Sequence, residues 1–279
     1  MLRKIAMKNW SYNEFSIPKL GFGTYELKNF SAVETVKKAL ELGLRHIDTA
    51  QIYDNESEVG QGIKESKISR DKIFLTTKIW FDSLTSQKVK KSFQESLNKL
   101  KTDYVDLLLI HWPNSNIPLE ETLQAFMSLQ KENKIRHIGV SNFTCDLLQQ
   151  ALKICPQIIT NQVEYHVLIN QNKMLNFIEN KNMFLTAYSP LVRGKILQIQ
   201  QLIELGKKYK KSPCQIALRW LIEQKNVVVI FKSSHKTYIE ENCNIFDFEL
   251  EDKDKALLFR LNKNKQRVID PPFAPEWDD

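Results

Sequence analysis

The sequence predicts an α/β fold: a single (β/α)8 TIM barrel spanning residues 1–279, with a short N-terminal β-hairpin and a C-terminal tail. Three observations carry that prediction. Eight strand-like runs alternate with amphipathic helical stretches along the whole chain. Several of those runs are apolar almost throughout, as strands are when helices cover both faces of a parallel sheet. The 279 residues are 42% hydrophobic with no Gly/Ser/Pro-rich linker, which suits one core at the upper end of domain size. An open doubly wound sheet is the competing arrangement. Bound to a dinucleotide, it would carry a Gly-rich phosphate loop after its first strand. "GFGTYE" is only a fragment of such a loop in a chain with 8 glycines.

Taken in order, "MKNWSYNEFSI" (7–17) reads as a hairpin closing the barrel bottom. The eight strands are "PKLGFG" (18–23), "LRHID" (44–48), "KIFLTTK" (72–78), "YVDLLLIH" (104–111), "KIRHIGVS" (134–141), "QIITNQVEY" (157–165), "NMFLTAYS" (182–189) and "NVVVIFKS" (226–233). Of the helices between them, "SAVETVKKALELG" (31–43) offers a Ser31/Glu34 capping box, an apolar face of Val33, Val36 and Leu40, and Gly43 as its stop. "TSQKVKKSFQESLNKL" (85–100) spaces Val89, Phe93, Leu97 and Leu100 along one face. "IPLEETLQAFMSLQKE" (117–132) starts on Pro118 and is expected to bury Leu119, Leu123 and Phe126. "SPCQIALRWLIEQ" (212–224) has Ser212 as cap and Pro213 in its first turn.

Composition narrows the function classes. The start of the chain lacks the apolar core of a secretory signal, and the longest apolar runs are too short to span a bilayer. A cytoplasmic protein without membrane attachment is expected. The cysteines, at 145, 155, 214 and 243, have neither zinc-site nor disulfide spacing, so reduced thiols are expected. With 40 Lys+Arg against 33 Asp+Glu the net charge is +7, which suits anionic partners in general. The densest cluster, "KKYKK" (207–211), reads as a solvated helix end. No basic stripe interleaved with aromatics is present, so nucleic acid is not an expected partner.

In a barrel of this kind, chemistry sits at the C-terminal ends of the strands. The second strand ends at Asp48, with Tyr53 in the loop beyond; the third ends at Lys78 and the fourth at His111. A phenol has an ordinary pKa near 10, and an ammonium about 4 Å away stabilises its anion by roughly 4 kcal/mol at an effective dielectric near 20. Lys78 can supply that charge, Asp48 can orient Lys78, and a neutral His111 can donate a hydrogen bond to a carbonyl oxygen. Together the four could protonate an oxygen as negative charge develops on it, as carbonyl reduction requires. Singly, each has a plainer account: a helix cap, a solvated lysine, a packed loop histidine.

The chain resembles the aldo-keto reductases over essentially its whole length. "LGFGTY" (20–25), "DTAQIYDNE" (48–56), "TTKIW" (76–80), "LIHWP" (109–113), "GVSNF" (139–143), "NQVEYH" (161–166), "AYSPL" (187–191) and "KSS…EEN" (232–242) match that family's signatures in order. "RHIDTAQIYDNE", "TDYVDLLLIHWP" and the tail "APEWDD" are most similar to the bacterial 2,5-diketo-D-gluconate reductases, a group that also reduces methylglyoxal and β-keto esters.

The resemblance implies a metal-free NADPH-dependent reductase. Tyr53 would be its general acid, Lys78 and Asp48 would tune it, and His111 would orient the carbonyl. It places Gly23, Thr24 and Asp48 beside the cofactor. Ser141, Asn142 and Gln162 would hold the carboxamide, with Tyr188 stacked on the nicotinamide. Ser189 and Leu191 would pass near the pyrophosphate. Lys232, Ser233 and Ser234 would meet the 2′-phosphate, with Glu241 and Asn242 near the adenine. Tyr25, Trp80 and Trp112 would line the substrate mouth along with His111, and Trp277 of the tail would join them. A small-molecule carbonyl is the expected partner, and the family's habit is to be monomeric.

Two positions depart from the pattern. Phe231 replaces a customary proline, and Tyr238 stands where an arginine commonly stacks on the adenine and binds the 2′-phosphate. Phosphate affinity would then rest mainly on Lys232, helped by His235 or Lys236, so a reduced preference for NADPH over NADH is expected. A non-catalytic, cofactor-binding regulatory protein on the same fold is the alternative reading.

Overall fold

The computed structural model describes residues 8–261 and 266–278. Residues 1–7, part of the stretch read for a leader and including the first residue of the hairpin string, lie outside the described residues, as does the last residue of "APEWDD".

The chain opens with an antiparallel hairpin, β1 (Asn9–Tyr12) and β2 (Phe15–Pro18). Eight strands follow: β3 (Leu20–Gly23), β4 (His46–Asp48), β5 (Phe74–Ile79), β6 (Val105–Ile110), β7 (Ile135–Ser141), β8 (Ile158–Glu164), β9 (Phe184–Tyr188) and β10 (Val227–Phe231). They pair in parallel in that sequence, and β10 returns to pair with β3, closing the barrel. Each strand lies where the apolar runs predict it, trimmed by a few residues at the ends. The open doubly wound alternative is excluded by the β10–β3 pairing.

Around the barrel run α1 (Asn29–Glu41), α2 (Glu56–Glu65), α3 (Ser86–Leu100), α4 (Leu119–Lys131), α5 (Cys145–Ile154), α6 (Asn172–Ile178), α7 (Gln200–Tyr209), α8 (Pro213–Ile222), α9 (Lys236–Cys243) and α10 (Asp252–Leu261). Among the described residues, no helix is long and apolar enough to cross a membrane. Periodicity fixes which faces turn inward: Val36 and Leu40 of α1, Val89 and Phe93 of α3, and Leu123 and Phe126 of α4 are all fully or almost fully buried. Leu119 differs. At the first residue of α4 it is only partly buried, packed against the edge of the core.

One start signal misled. The Ser31/Glu34 capping box does not form. α1 begins at Asn29 with Lys28 as its N-cap, and the Ala32 N–H already bonds to the Lys28 carbonyl. Glu34 instead reaches Lys236 of α9 at 2.6 Å. The stop at Gly43 holds, with φ of 106°, a left-handed conformation that glycine adopts at no steric cost. α8 carries the full capping box expected of it: Ser212 Oγ accepts from the Gln215 N–H, and Gln215 Oε1 accepts from the Ser212 N–H. The "KKYKK" end of α7 is not merely solvated. Lys208 pairs with Glu251 and Asp254, and Lys211 with Asp247.

The hairpin plugs the barrel's lower end. Trp10 and Ile17 bury against Phe184 and Val228, near the starts of β9 and β10, and Phe15 meets the His137 ring at 4.4 Å. Aromatic packing of this kind adds roughly 0.5–1.5 kcal/mol per pair beyond area burial. With one end stoppered by side chains, the open end lies at the strands' C-termini. Near it lies Phe231, the residue that stands in place of the customary proline. Its backbone pairs with Phe22 of β3, and its buried ring packs edge-on against that residue at 5.7 Å.

Candidate active site

Three strand ends and one short turn converge. Asp48 is the last residue of β4, Lys78 lies one before the end of β5, and His111 follows β6 directly, its N–H bonded to the Ile79 carbonyl. Tyr53 closes a 3-10 turn, Gln51–Tyr53, whose exit residue Asp54 has φ of 51°. Asn55 pins that turn. Its amide donates to the carbonyls of Thr24 and Leu27 at 2.7 and 2.9 Å, and its Oδ1 accepts from Thr49 Oγ1. Nothing in the sequence analysis singled out Asn55, although an asparagine two residues past the tyrosine in "YDN" is the sort of residue that satisfies loop backbone.

The Lys78 ammonium has no exposure to solvent. It donates to Asp48 Oδ1 at 2.5 Å and to the Thr49 carbonyl at 2.7 Å, with the Tyr53 hydroxyl at 3.4 Å. Gln162 Nε2 donates to the other carboxylate oxygen at 2.9 Å. Burial pushes the Asp48 carboxyl up and the Lys78 amine down, and their mutual attraction opposes both shifts. Tyr53 corrects the sequence-level expectation. Its phenol is held well above its ordinary value, first by burial and then by Asp48, Tyr188 and Tyr25. The reason is electrostatic: an ammonium already neutralised by a carboxylate presents little more than a dipole to its neighbour, too little to offset desolvation of a phenolate. Tyr53 is therefore firmly protonated, a hydroxyl group available as a donor.

His111 is pushed well below the usual histidine value by burial and by Lys78, so the imidazole is neutral. Its ring meets those of Tyr53 and Trp80 edge-on, at 5.6 and 5.1 Å. Its Nδ1 is buried without a hydrogen-bond partner. A buried ring nitrogen left unsatisfied is uncommon.

A cavity of about 1200 Å³ opens over this cluster. Tyr25, Trp80, His111 and Trp112 line one end. Trp277 does not line it, but packs behind Trp112 with ring centroids 5.9 Å apart. The place expected for Trp277 falls to Phe273, which the sequence analysis missed. Gly23, Thr24, Asp48, Ser141, Asn142, Gln162 and Tyr188 line the cavity as well. There the side chains hold one another: Tyr188 donates to Asn142 Oδ1 at 2.8 Å, Asn142 Nδ2 donates to the His111 carbonyl and to Ser141 Oγ, and Ser141 donates to the Gln162 carbonyl. Asn142, with φ of 62°, takes a left-handed conformation that asparagine tolerates.

Lys232, Ser233, Ser234 and His235 also line the cavity, with Tyr238, Glu241 and Asn242 of α9. Lys236 does not join them, because its ammonium is paired with Glu34. The loop after β9 borders the cavity through Ser189, Leu191 and Arg193. Arg193 sits over the Tyr25 ring at 5.8 Å, and Ser189, Val192 and Arg193 all have positive φ. Such backbone strain in a β-branched residue persists only where surrounding packing imposes it, and Val192 is fully buried.

The residues fit an extended dinucleotide. The cavity exceeds the ~300–1000 Å³ of an ordinary small-molecule pocket. Its lining includes the Lys232 cation, the Ser233 and Ser234 hydroxyls, Tyr188 and the Tyr53–His111 cluster.

Comparison with known proteins agrees with this geometry. The model of the family described as "Aldo/keto reductase family" matches residues 19–263. The chain is 39% identical over 267 residues to the methylglyoxal reductase DkgB of Escherichia coli O157:H7, covering 94% of this chain and 100% of that one. It is 40% identical over 259 residues to the glyoxal reductase of Bacillus subtilis (strain 168), covering 91% and 92%. Among solved structures, a protein assigned as a 2,5-diketo-D-gluconic acid reductase B superposes with a TM-score of 0.95 at 41% identity, covering 98% of each chain.

Proposed function

The chain belongs to the aldo/keto reductase family and is an oxidoreductase acting on carbonyls; from that premise we propose that it reduces small aldehydes, ketones and dicarbonyls with NADPH, using Tyr53 as the proton donor. The observation that carries the proposal is the contact of a buried Lys78–Asp48 pair with the Tyr53 hydroxyl, beside a cavity of about 1200 Å³. The names of the relatives point to methylglyoxal, glyoxal and 2,5-diketo-D-gluconate as substrates to try, with β-keto esters beside them.

A reduced nicotinamide bound along the cavity would supply a hydride to the carbonyl carbon. The chain's own residues do the rest. The neutral imidazole of His111 donates a hydrogen bond to the substrate oxygen and fixes its position. As negative charge builds on that oxygen, Tyr53 transfers its hydroxyl proton to it and becomes a phenolate. Lys78, 3.4 Å from that hydroxyl, would donate a hydrogen bond to the phenolate oxygen as it forms, a contact that strengthens only as the proton leaves. Trp80 and Trp112 keep water from the site and offer an apolar wall with few polar groups, which favours broad tolerance of small carbonyls.

Lys232, Ser233 and Ser234, just ahead of the α9 N-terminus, support recognition of a 2′-phosphate. With Tyr238 uncharged and 56% exposed, and Lys236 tied to Glu34, that recognition rests on Lys232. The experiment is an NADPH-oxidation assay over methylglyoxal, glyoxal, 2,5-diketo-D-gluconate and a β-keto ester. Turnover of at least the dicarbonyls is expected. No turnover across the panel would replace the proposal with a non-catalytic, cofactor-binding role.

A further inference from the structure

Glu164, the last residue of β8, is fully buried and takes no part in the chemistry described above. Its Oε1 accepts from His166 Nε2 at 2.7 Å and from the Val268 N–H at 2.7 Å, and its Oε2 accepts from the Ile269 N–H at 2.9 Å. The Leu168 N–H donates to His166 Nδ1 at 3.2 Å. That nitrogen is therefore an acceptor, which leaves Nε2 to donate toward Glu164. One carboxylate thus gathers three donors, two of them from the C-terminal tail. Hydrogen bonds to an ionised acceptor are roughly twice as strong as neutral ones.

The tail so held is a wall of the cavity. Val268, Ile269, Asp270, Pro271 and Phe273 all line it. The Phe273 ring stacks on Phe81 at 4.5 Å and meets Trp112 and Trp80 edge-on at 5.5 and 5.9 Å. Beyond the cavity the tail folds back on itself, with Trp277 Nε1 donating to Asp270 and the Arg267 guanidinium 3.8 Å from the Trp277 ring centroid. Its far end is fixed where Asp278 accepts from the Cys145 N–H at the start of α5 and from Lys173. The lining segment is thus a loop anchored at both ends, and Glu164 is the anchor nearer the site.

We propose that Glu164 is a positioning residue for substrate selectivity: by fixing 268–269 it holds Phe273 against Trp80 and Trp112, completing an aromatic wall for the apolar substituent of the carbonyl substrate. This rests on the reductase reading above. The test compares methylglyoxal with phenylglyoxal, the same dicarbonyl carrying a phenyl group, in the wild type, Glu164→Gln, Phe273→Ala and the double variant. The glutamine keeps the size but turns an amide donor toward donors.

Glu164→Gln and Phe273→Ala are each expected to raise KM for phenylglyoxal about tenfold, with kcat changed less than twofold and KM for methylglyoxal shifted less than twofold. The double variant is expected to be no worse than the single ones, because both remove the same wall. Hydrogen exchange at the Val268 and Ile269 amides is expected to speed up at least tenfold in Glu164→Gln. Equal losses on both substrates, additive effects, or unchanged exchange would overturn the proposal. Should Glu164→Gln not fold, Glu164→Asp, which keeps the charge but falls short of the tail, carries the same expectations and the same refutation. If the wild type reduces neither substrate, the reductase reading fails, and the exchange measurement still decides whether Glu164 holds the tail.

Discussion

At Tyr53, burial and the charge of the neighbouring Asp48 carboxylate push the same way, and the phenol stays protonated although an ammonium lies 3.4 Å away. The same rule governs the site's histidines. His46, on β4 below Asp48, is pushed down to about 3 by burial and by Lys78, and His111 is pushed down for the same reasons. Sign follows from linkage. The folded state refuses a proton that the unfolded state accepts near its ordinary value of 6.5, so the stability from a neutral His46 is fully present above pH 6.5. It is lost as pH falls from there toward about 3, at up to ~1.4 kcal/mol per pH unit. Denaturant unfolding of the wild type and His46→Gln between pH 7.5 and 5 isolates this contribution, since the carboxylate contributions cancel in the difference. The wild type should lose stability more steeply than the variant as pH falls; parallel slopes would show that His46 binds its proton in the folded state.

Elements carried most of what the sequence made legible. Apolar runs marked all eight barrel strands, because strands covered on both faces leave a continuous signal, while the closure itself is shown by the β10–β3 pairing. The four residues of the donor cluster were legible because strand ends are fixed by the same runs. The tail was not. Val268, Ile269 and Phe273 belong to no strand or helix, and their place is set by a buried carboxylate more than a hundred residues away. Capping chemistry was legible only where backbone geometry agreed. Ser212 caps α8, whereas Ser31 falls inside a helix that starts earlier. Ser212→Ala should therefore cost ~1 kcal/mol by loss of the cap, seen as a lower denaturation midpoint with unchanged turnover, while Ser31→Ala should move the midpoint by no more than a few tenths of that. Equal effects of the two substitutions would contradict the assignment of the cap.

Over the whole molecule, a single cavity is lined both by Tyr53, His111, Trp80 and Trp112 and by Lys232, Ser233 and Ser234. Net charge of +7 adds a diffuse attraction for an anionic cofactor, but discrimination between NADPH and NADH requires a local contact. Lys232 is that contact in the present reading, with Tyr238 able to stack without adding charge. The ratio of kcat/KM for NADPH over NADH should favour NADPH modestly in the wild type and fall toward unity in Lys232→Ala, with NADH kinetics little changed. A ratio unaffected by the substitution, or a wild type that prefers NADH, would remove Lys232 from the choice of cofactor.

The most direct measurement is single-turnover reduction of methylglyoxal by the wild type and by Tyr53→Phe, each preloaded with NADPH, alongside the cofactor Kd. Removing one hydroxyl leaves the ring contacts with Tyr25 and His111 in place. The rate should fall at least about 100-fold, the scale of a lost general acid, with Kd for NADPH within twofold of the wild type. A variant that turns over at the wild-type rate would contradict the assignment of Tyr53 as the group that protonates the substrate.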